Sequence, residues 1–228
     1  MENFDYIMRN YAALTAEISE YSRKYGRKIT LVAVTKSASD EELIALAKCG
    51  ITDIGENRPQ ELARRGELLQ AHGFTPALHE IGNLQKNKVR TIIDTVTLIH
   101  SLDSEGLARE IDRRAKAAGR VVPVLIEINS AREEQKGGVL PEEAEALIRR
   151  LAEYENISPK GLMTMGPAID AEALRPYFKE TKRLFDELSS KGLLGSSPVL
   201  SMGMSDSYRV AIEEGSDIVR VGRRLFIK

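Results

Sequence analysis

Apolar residues recur along this chain in two alternating rhythms. Short continuous runs rich in Val, Ile and Leu fall at 30–35, 51–55, 78–82, 96–100, 121–128, 160–163, 198–201 and 217–221. Runs of this length read as buried strands. Between most of them lie charged stretches with apolar residues three or four positions apart, at 39–49, 57–71, 104–118, 141–153, 170–191 and 205–214, and a shorter one at 84–94. That spacing predicts amphipathic helices. Ahead of them all, Tyr6, Ile7, Tyr11, Leu14, Ile18 and Tyr21 share one helical face, and Gly26 ends it.

Strands alternating with helices predict right-handed βαβ units and a parallel sheet. Eight strands predict an α/β fold: a single (β/α)8 TIM-type barrel over residues 30–228, with an extra N-terminal helix within 1–26. That fold usually takes about 250 residues. This chain is therefore expected to have tight loops and no second domain. A doubly wound open sheet has the same local rhythm, and pattern alone does not separate the two. The barrel makes one demand, that functional groups gather at the C-terminal ends of its strands. Lys36, Glu56, Asn57, Asn83, Asp103, Asn129, Ser201 and Gly222 all follow strand-like runs.

Composition narrows the function. The formal net charge of −1 argues against a dominant nucleic-acid or anionic-membrane role, but leaves room for one basic cleft. The single cysteine, Cys49, rules out an internal disulfide and is expected as a buried structural thiol. His72, His79 and His100 lack metal-ligand spacing. No run reaches the roughly 18 apolar residues of a membrane span, and the N-terminus has no apolar signal core. The expectation is a cytoplasmic protein.

Two segments suggest an anion site. "SMGMSDSYRVAIEEG" reads as a strand entering a glycine turn and then a helix, with Ser205 expected at the N-cap. "DIVRVGRRLF" reads as the last strand followed by Gly222 and basic residues. In barrels a phosphate often sits between the loops after the seventh and eighth strands. Gly222 lets the backbone approach closely, and Arg223 and Arg224 add positive charge. Arg220 shares a strand face with Ile218. Pointing inward, it needs an acceptor; pointing outward, it meets a carboxylate among the helices. An inward arginine, a strand-end lysine and a phosphate site together suggest pyridoxal phosphate. Lys36 would form a Schiff base, which requires a neutral amine, favoured by desolvation or nearby positive charge.

At this point the chain resembles the pyridoxal phosphate homeostasis proteins, the YggS-like group, related in fold to the N-terminal barrel of alanine racemase. The resemblance rests on "LVAVTK", "IGENRPQEL", "LHEIGNLQKNK", "GLMTM", "LSMGMSDSY" and "VRVGRRLF", in that order along almost the whole chain. It implies Lys36 as the Schiff-base lysine. It implies Ser205, Gly222 and the backbone N–H of Arg223 at the phosphate, with Ser201 lining the same pocket. It further implies Arg220 facing the pyridine nitrogen, and Asn57 and His79 near the ring. The sequence departs from the family at Leu78, Glu80, Arg58-Pro59 and Arg223, and lacks the usual glycine after its final Phe226.

An arginine at the pyridine nitrogen keeps that nitrogen unprotonated and makes the ring a weaker electron sink. Racemases of the related fold add a second base from another domain, which this chain is expected to lack. Tyr208, the tyrosine nearest the phosphate loop, reads as a packing residue. The expected function is a non-catalytic carrier that holds pyridoxal 5′-phosphate for homeostasis. Its recipients would be apo-enzymes, and it would act without nucleic acid or membrane, as a monomer or weak dimer. The alternative is a weak racemase. Lys86, Lys88 and Lys136 are expected to be solvated charges.

Overall fold

Eight parallel strands close into a barrel in chain order, with the last pairing to the first. They are β1 (Thr30–Val34), β2 (Asp53–Glu56), β3 (Ala77–Glu80), β4 (Leu98–Leu102), β5 (Val122–Ile128), β6 (Ile157–Thr164), β7 (Val199–Ser201) and β8 (Ile218–Val221). This computed structural model describes residues 4–228. The helices are α1 (Asp5–Tyr25), α2 (Asp40–Lys48), α3 (Pro59–Ala71), α4 (Val89–Ile92), α5 (Glu105–Ala117), α6 (Ala144–Leu151), α7 (Arg175–Ser190), α8 (Tyr208–Glu213) and α9 (Arg223–Phe226). The closed barrel is thus realised, and the open sheet is not. Residues 1–3 of the expected leading segment lie outside the described residues.

Local chemistry explains the element ends nearest the barrel mouth. At α2 the Ser39 hydroxyl accepts the Glu42 N–H at 3.2 Å, and the Glu42 carboxylate accepts the Ser39 N–H at 2.8 Å. This reciprocal cap fixes the chain three residues after Lys36. Pro59 opens α3, where its missing N–H costs nothing. Helix α9 is too short for a periodic signal, and the sequence reads it only as a basic stretch.

Two expectations change. Ser205 does not cap α8: Ser207 holds the N-cap position, and the Ser207 hydroxyl accepts the Met204 N–H at 3.2 Å. The cause is the turn at Gly203, where φ is +89° and an added Cβ would lie 2.8 Å from the Tyr208 Cα. This turn delays the helix and leaves the Ser205 hydroxyl free to accept the Gly222 N–H at 3.2 Å. Cys49 is half-buried rather than buried, because it ends α2 instead of sitting inside it. Burial pushes its thiol up, as suits an inert cysteine.

The core has two compartments. The larger packs the outer strand faces against the helices, with Leu43, Leu46, Leu62, Ile92, Ile111, Phe178 and Leu188 as buried anchors. The smaller, Val32, Leu98, Leu125, Met163 and Ile218, draws only on strands and fills the barrel interior. Side chains alternate across a strand. The strand residues two positions on, Val34, His100, Glu127 and Arg220, therefore belong to the next interior layer, toward the mouth. No described helix is long and apolar enough to cross a membrane.

Candidate functional site

A cavity of about 710 Å³ opens at the C-terminal mouth of the barrel. Lys36, Asn57, Ser205, Arg220, Gly222 and Arg223 all line it, although they come from four separate strand-end segments. Met165, Pro167, Ile169, Leu174 and Met204 form its apolar wall. Another groove of about 750 Å³ lies between α1 and α2, lined by Phe4, Met8, Tyr11, Ile44 and Lys48 among others, away from the strand ends.

Lys36 sits in the turn after β1, and this turn is held from below. Thr35 donates to Glu56 Oε1 at 2.5 Å, and Arg65 Nη2 donates to the Ala38 carbonyl at 2.9 Å. Glu56 and Arg65 are both buried. The backbone on either side of Lys36 is thereby tied to α3 and β2, while Lys36 itself is exposed. A lysine at the end of an apolar strand is expected to be desolvated and near the positive charge of Arg220. Arg220 does line the same cavity. The lysine is nevertheless not desolvated, because β1 ends at Val34 and the lysine lies two residues past the interior layer.

Opposite lies a set of hydrogen-bond donors. The Ser205 hydroxyl and the Gly222 N–H bond to each other, and Arg223 begins α9. A first-turn amide has no carbonyl partner inside its own helix, so the Arg223 N–H is not satisfied within α9. The Arg223 guanidinium pairs with Asp206, and both are exposed. On the β2–β3 side, Gly82 packs so closely that an added Cβ would lie 2.3 Å from the Asn57 carbonyl oxygen. The absence of a side chain at 82 sets where Asn57 meets the cavity.

Arg220 points inward. It is 3% exposed, and its hydrogen bonds go to Ser201 Oγ at 2.6 Å and the Thr164 carbonyl at 3.1 Å. Neither partner carries a charge. Burial pushes its guanidinium down to about 10, against the pull of Glu127. Ser201 and His79 do not line the cavity. They lie one layer beneath, and Ser201 touches Arg220 from there. The reason is strand register: β7 ends at Ser201 and β3 holds His79 one residue before its own end, so neither side chain reaches the mouth.

Two buried acids are not marked by the sequence as candidate site residues, Glu80 standing out there only as a departure from the family. Burial pushes Glu80 up to about 8, with the Gly82 N–H donating to one of its oxygens at 3.1 Å. Burial and the nearby Asp103 push Glu127 up to about 7. His100, set aside for lack of metal-ligand spacing, is wholly buried in the barrel interior. Apolar strands hide such residues from sequence reading, since their partners lie on other strands. Lys136 pairs with Glu133 at 2.8 Å. Tyr208 is buried beside Arg224 and does not line the cavity. Burial and Glu17 push its hydroxyl up.

Comparison with known proteins adds four similarities. Residues 10–227 match the family described as alanine racemase, N-terminal domain. A pyridoxal phosphate homeostasis protein from Aquifex aeolicus is 43% identical over 197 residues, covering 86% of this chain and 85% of the relative. Among solved structures, an unknown protein from Bifidobacterium adolescentis superposes with a TM-score of 0.90 at 32% identity, covering 99% of this chain and 97% of the other. PipY of Synechococcus elongatus PCC7942, in a structure with PLP bound, superposes with a TM-score of 0.84 at 27% identity, covering 97% of this chain and all (100%) of PipY.

Proposed function

The chain belongs to the alanine racemase N-terminal domain family and, within it, to the pyridoxal phosphate homeostasis proteins, and from that premise we propose that it binds pyridoxal 5′-phosphate and serves as its carrier. The observation that carries the reading is one cavity that joins a primary amine, a buried arginine without a contacting carboxylate, and a hydroxyl–amide cradle. This donor set suits a ligand with a phosphate at one end and an acceptor ring atom at the other. PipY, which binds PLP, supports the same reading.

Lys36 would hold pyridoxal phosphate through its amine, toward which the cofactor would supply a reversibly reactive aldehyde. The Ser205 hydroxyl proton and the backbone N–H of Arg223 would hold the phosphate, with Gly222 letting the backbone come close, as charge-assisted hydrogen bonds favour. The Arg220 guanidinium can only donate, so it would meet an unprotonated ring nitrogen. Asn57, from the adjoining loop, would border the ring, and the apolar wall from Met165 to Leu174 would shield its face from water.

Carriage rather than robust catalysis is supported by the lining residues. Besides Lys36, the carboxylate in the lining is Asp206, which is exposed and tied to Arg223. Tyr208 is packed elsewhere. A racemase of this fold needs a base on each face of the substrate, and among the described residues the cavity lining offers Lys36 alone in a suitable place. Recipients would be apo-enzymes in the cytoplasm, served by a monomer or weak dimer.

The test is to add pyridoxal phosphate, reduce with borohydride and map the modified lysine by mass spectrometry. Lys36 is the expected site. Modification of Lys86 or Lys136 with Lys36 untouched overturns the assignment. Sustained α-proton exchange of an amino acid in deuterated water overturns the carrier reading in favour of a racemase.

A further inference from the structure

A line of hydrogen bonds crosses the barrel interior from the cavity toward the opposite end. Arg220 Nη1 lies 2.6 Å from Ser201 Oγ, and Ser201 Oγ lies 3.1 Å from His100 Nδ1. His100 Nε2 lies 2.9 Å from His79 Nδ1, and His79 Nε2 lies 3.0 Å from Asp53 Oδ1. These five residues come from β8, β7, β4, β3 and β2. Ser201 and His100 are wholly buried (0% exposed), and His79 is 4% exposed.

The two ends fix the direction. A guanidinium can only donate and an ionised carboxylate can only accept. Ser201, having accepted from Arg220, has His100 Nδ1 as the acceptor for its own proton. His100 must then carry its proton on Nε2 and donate it to His79 Nδ1. His79 in turn carries its proton on Nε2 and donates to Asp53. Every donor is used once and every acceptor is met. The competing arrangement makes His79 an imidazolium that donates in both directions. It places a second cation in the interior that already holds Arg220, and leaves the Ser201 O–H without an acceptor in a buried site, which is costly.

We propose that Asp53, His79 and His100 are positioning residues for Arg220: both histidines are neutral with the proton on Nε2, all four bonds donate from Arg220 toward Asp53, and the chain holds the guanidinium as it is presented to a ligand in the cavity. The surroundings agree. Burial, with the Arg220 charge beside it, keeps His100 well below its ordinary range. Although burial opposes it, hydrogen bonds from His79 and Thr52 hold the Asp53 carboxyl below its own, as suits the accepting end of the line. Besides the pull of Glu127, Arg220 thus has a distant carboxylate reached through neutral groups, and no carboxylate hydrogen-bonds to its guanidinium among the described residues.

The tautomers can be read from long-range proton–nitrogen NMR spectra of the 15N-histidine-labelled chain at pH 7, assigned with His79→Gln and His100→Gln. His72 gives an internal contrast, since its Nδ1 faces the Leu68 carbonyl at 2.9 Å and must be the protonated nitrogen there. His79 and His100 are expected with Nε2 protonated and Nδ1 bare. A doubly protonated His79, or a proton on Nδ1 of either residue, overturns the proposal.

The effect on the ligand rests on the function proposed above and uses a spectroscopic readout. His100→Leu leaves the buried Ser201 O–H without its acceptor and is expected to weaken pyridoxal phosphate binding about tenfold, as an unmet buried hydrogen bond implies, and to shift the visible absorption band. Borohydride trapping on Lys36 should persist. Asp53→Asn keeps an acceptor for His79 and should stay within about threefold of wild type, whereas Asp53→Leu should behave like His100→Leu. A folded His100→Leu protein with unchanged band and affinity overturns the positioning role. Wild type that takes up no pyridoxal phosphate instead overturns the function, while the nitrogen spectra still decide the chain.

Discussion

Arg65 Nε lies 3.1 Å from Glu56 Oε1, and both side chains are buried beneath the turn that carries Lys36. The N–H is not well aligned on the carboxylate, so the contact is mainly Coulombic. Each partner also holds the turn, Glu56 through Thr35 and Arg65 through the Ala38 carbonyl. An exposed lysine on a surface turn would ordinarily sample many positions. Here the backbone on both sides of it is fixed from within the fold.

Removing one member of this pair should be costly. Arg65→Met leaves Glu56 buried without its countercharge, and a loss of about 3–5 kcal/mol is expected. Urea denaturation measures it. The double variant Glu56→Gln with Arg65→Met should recover much of that loss. Full stability in Arg65→Met alone would show that the pair does not hold the turn.

Glu80 makes stability depend on pH. Its folded value, about 8, lies above the unfolded value near 4.5. The folded state therefore binds the proton more tightly. The associated stability is fully present below the unfolded value and is lost as pH rises through the folded one. Glu80→Gln should remove this decline, with the variant gaining on wild type by a few kcal/mol, roughly, above pH 8. Melting temperatures between pH 5 and 9 provide the check, and parallel curves for the two proteins would contradict it.

Ser205 should matter for the phosphate and not for the ring. Ser205→Ala is expected to weaken pyridoxal phosphate binding about tenfold while leaving pyridoxal binding nearly unchanged. Spectroscopic titration with both ligands separates the two effects. Equal losses would remove Ser205 from the cradle.

Gly82 is constrained by contact with backbone. A Cβ there would lie 2.3 Å from the Asn57 carbonyl oxygen, and no side-chain rotation relieves it. Gly82→Ala should cost about 1–3 kcal/mol and move Asn57 away from the cavity. Thermal unfolding and ligand titration together test this. An alanine variant equal to wild type in both would mean that the β2 and β3 loops adjust freely.

Much of the fold was legible because strand and helix periods are local. The run Leu31–Val34 and the spacing through Leu43, Leu46 and Ala47 need no distant partner to be read. Eight such alternations also point to the barrel mouth as the place where Lys36, Ser205, Gly222 and Arg223 meet. Ser205 was misread as a helix cap because the turn at Gly203 adds residues that no periodicity records. The pair Glu56 and Arg65 was invisible as a pair, since nothing in sequence marks a carboxylate on β2 as facing a guanidinium on α3.

The sequence by itself determined the alternation of elements, the parallel sheet and the gathering of a lysine, an arginine and a glycine-bearing loop at one end of it. Only the tertiary structure decided that the sheet closes, that Arg220 points inward, and that Lys36 stays exposed on a clamped turn. It also decided that His79 and Ser201 lie beneath the cavity, within the hydrogen-bond chain to Asp53. The physical reason is the same in each case. Backbone periodicity is set by neighbours along the chain, whereas a buried polar group is placed by partners that barrel closure brings from other strands.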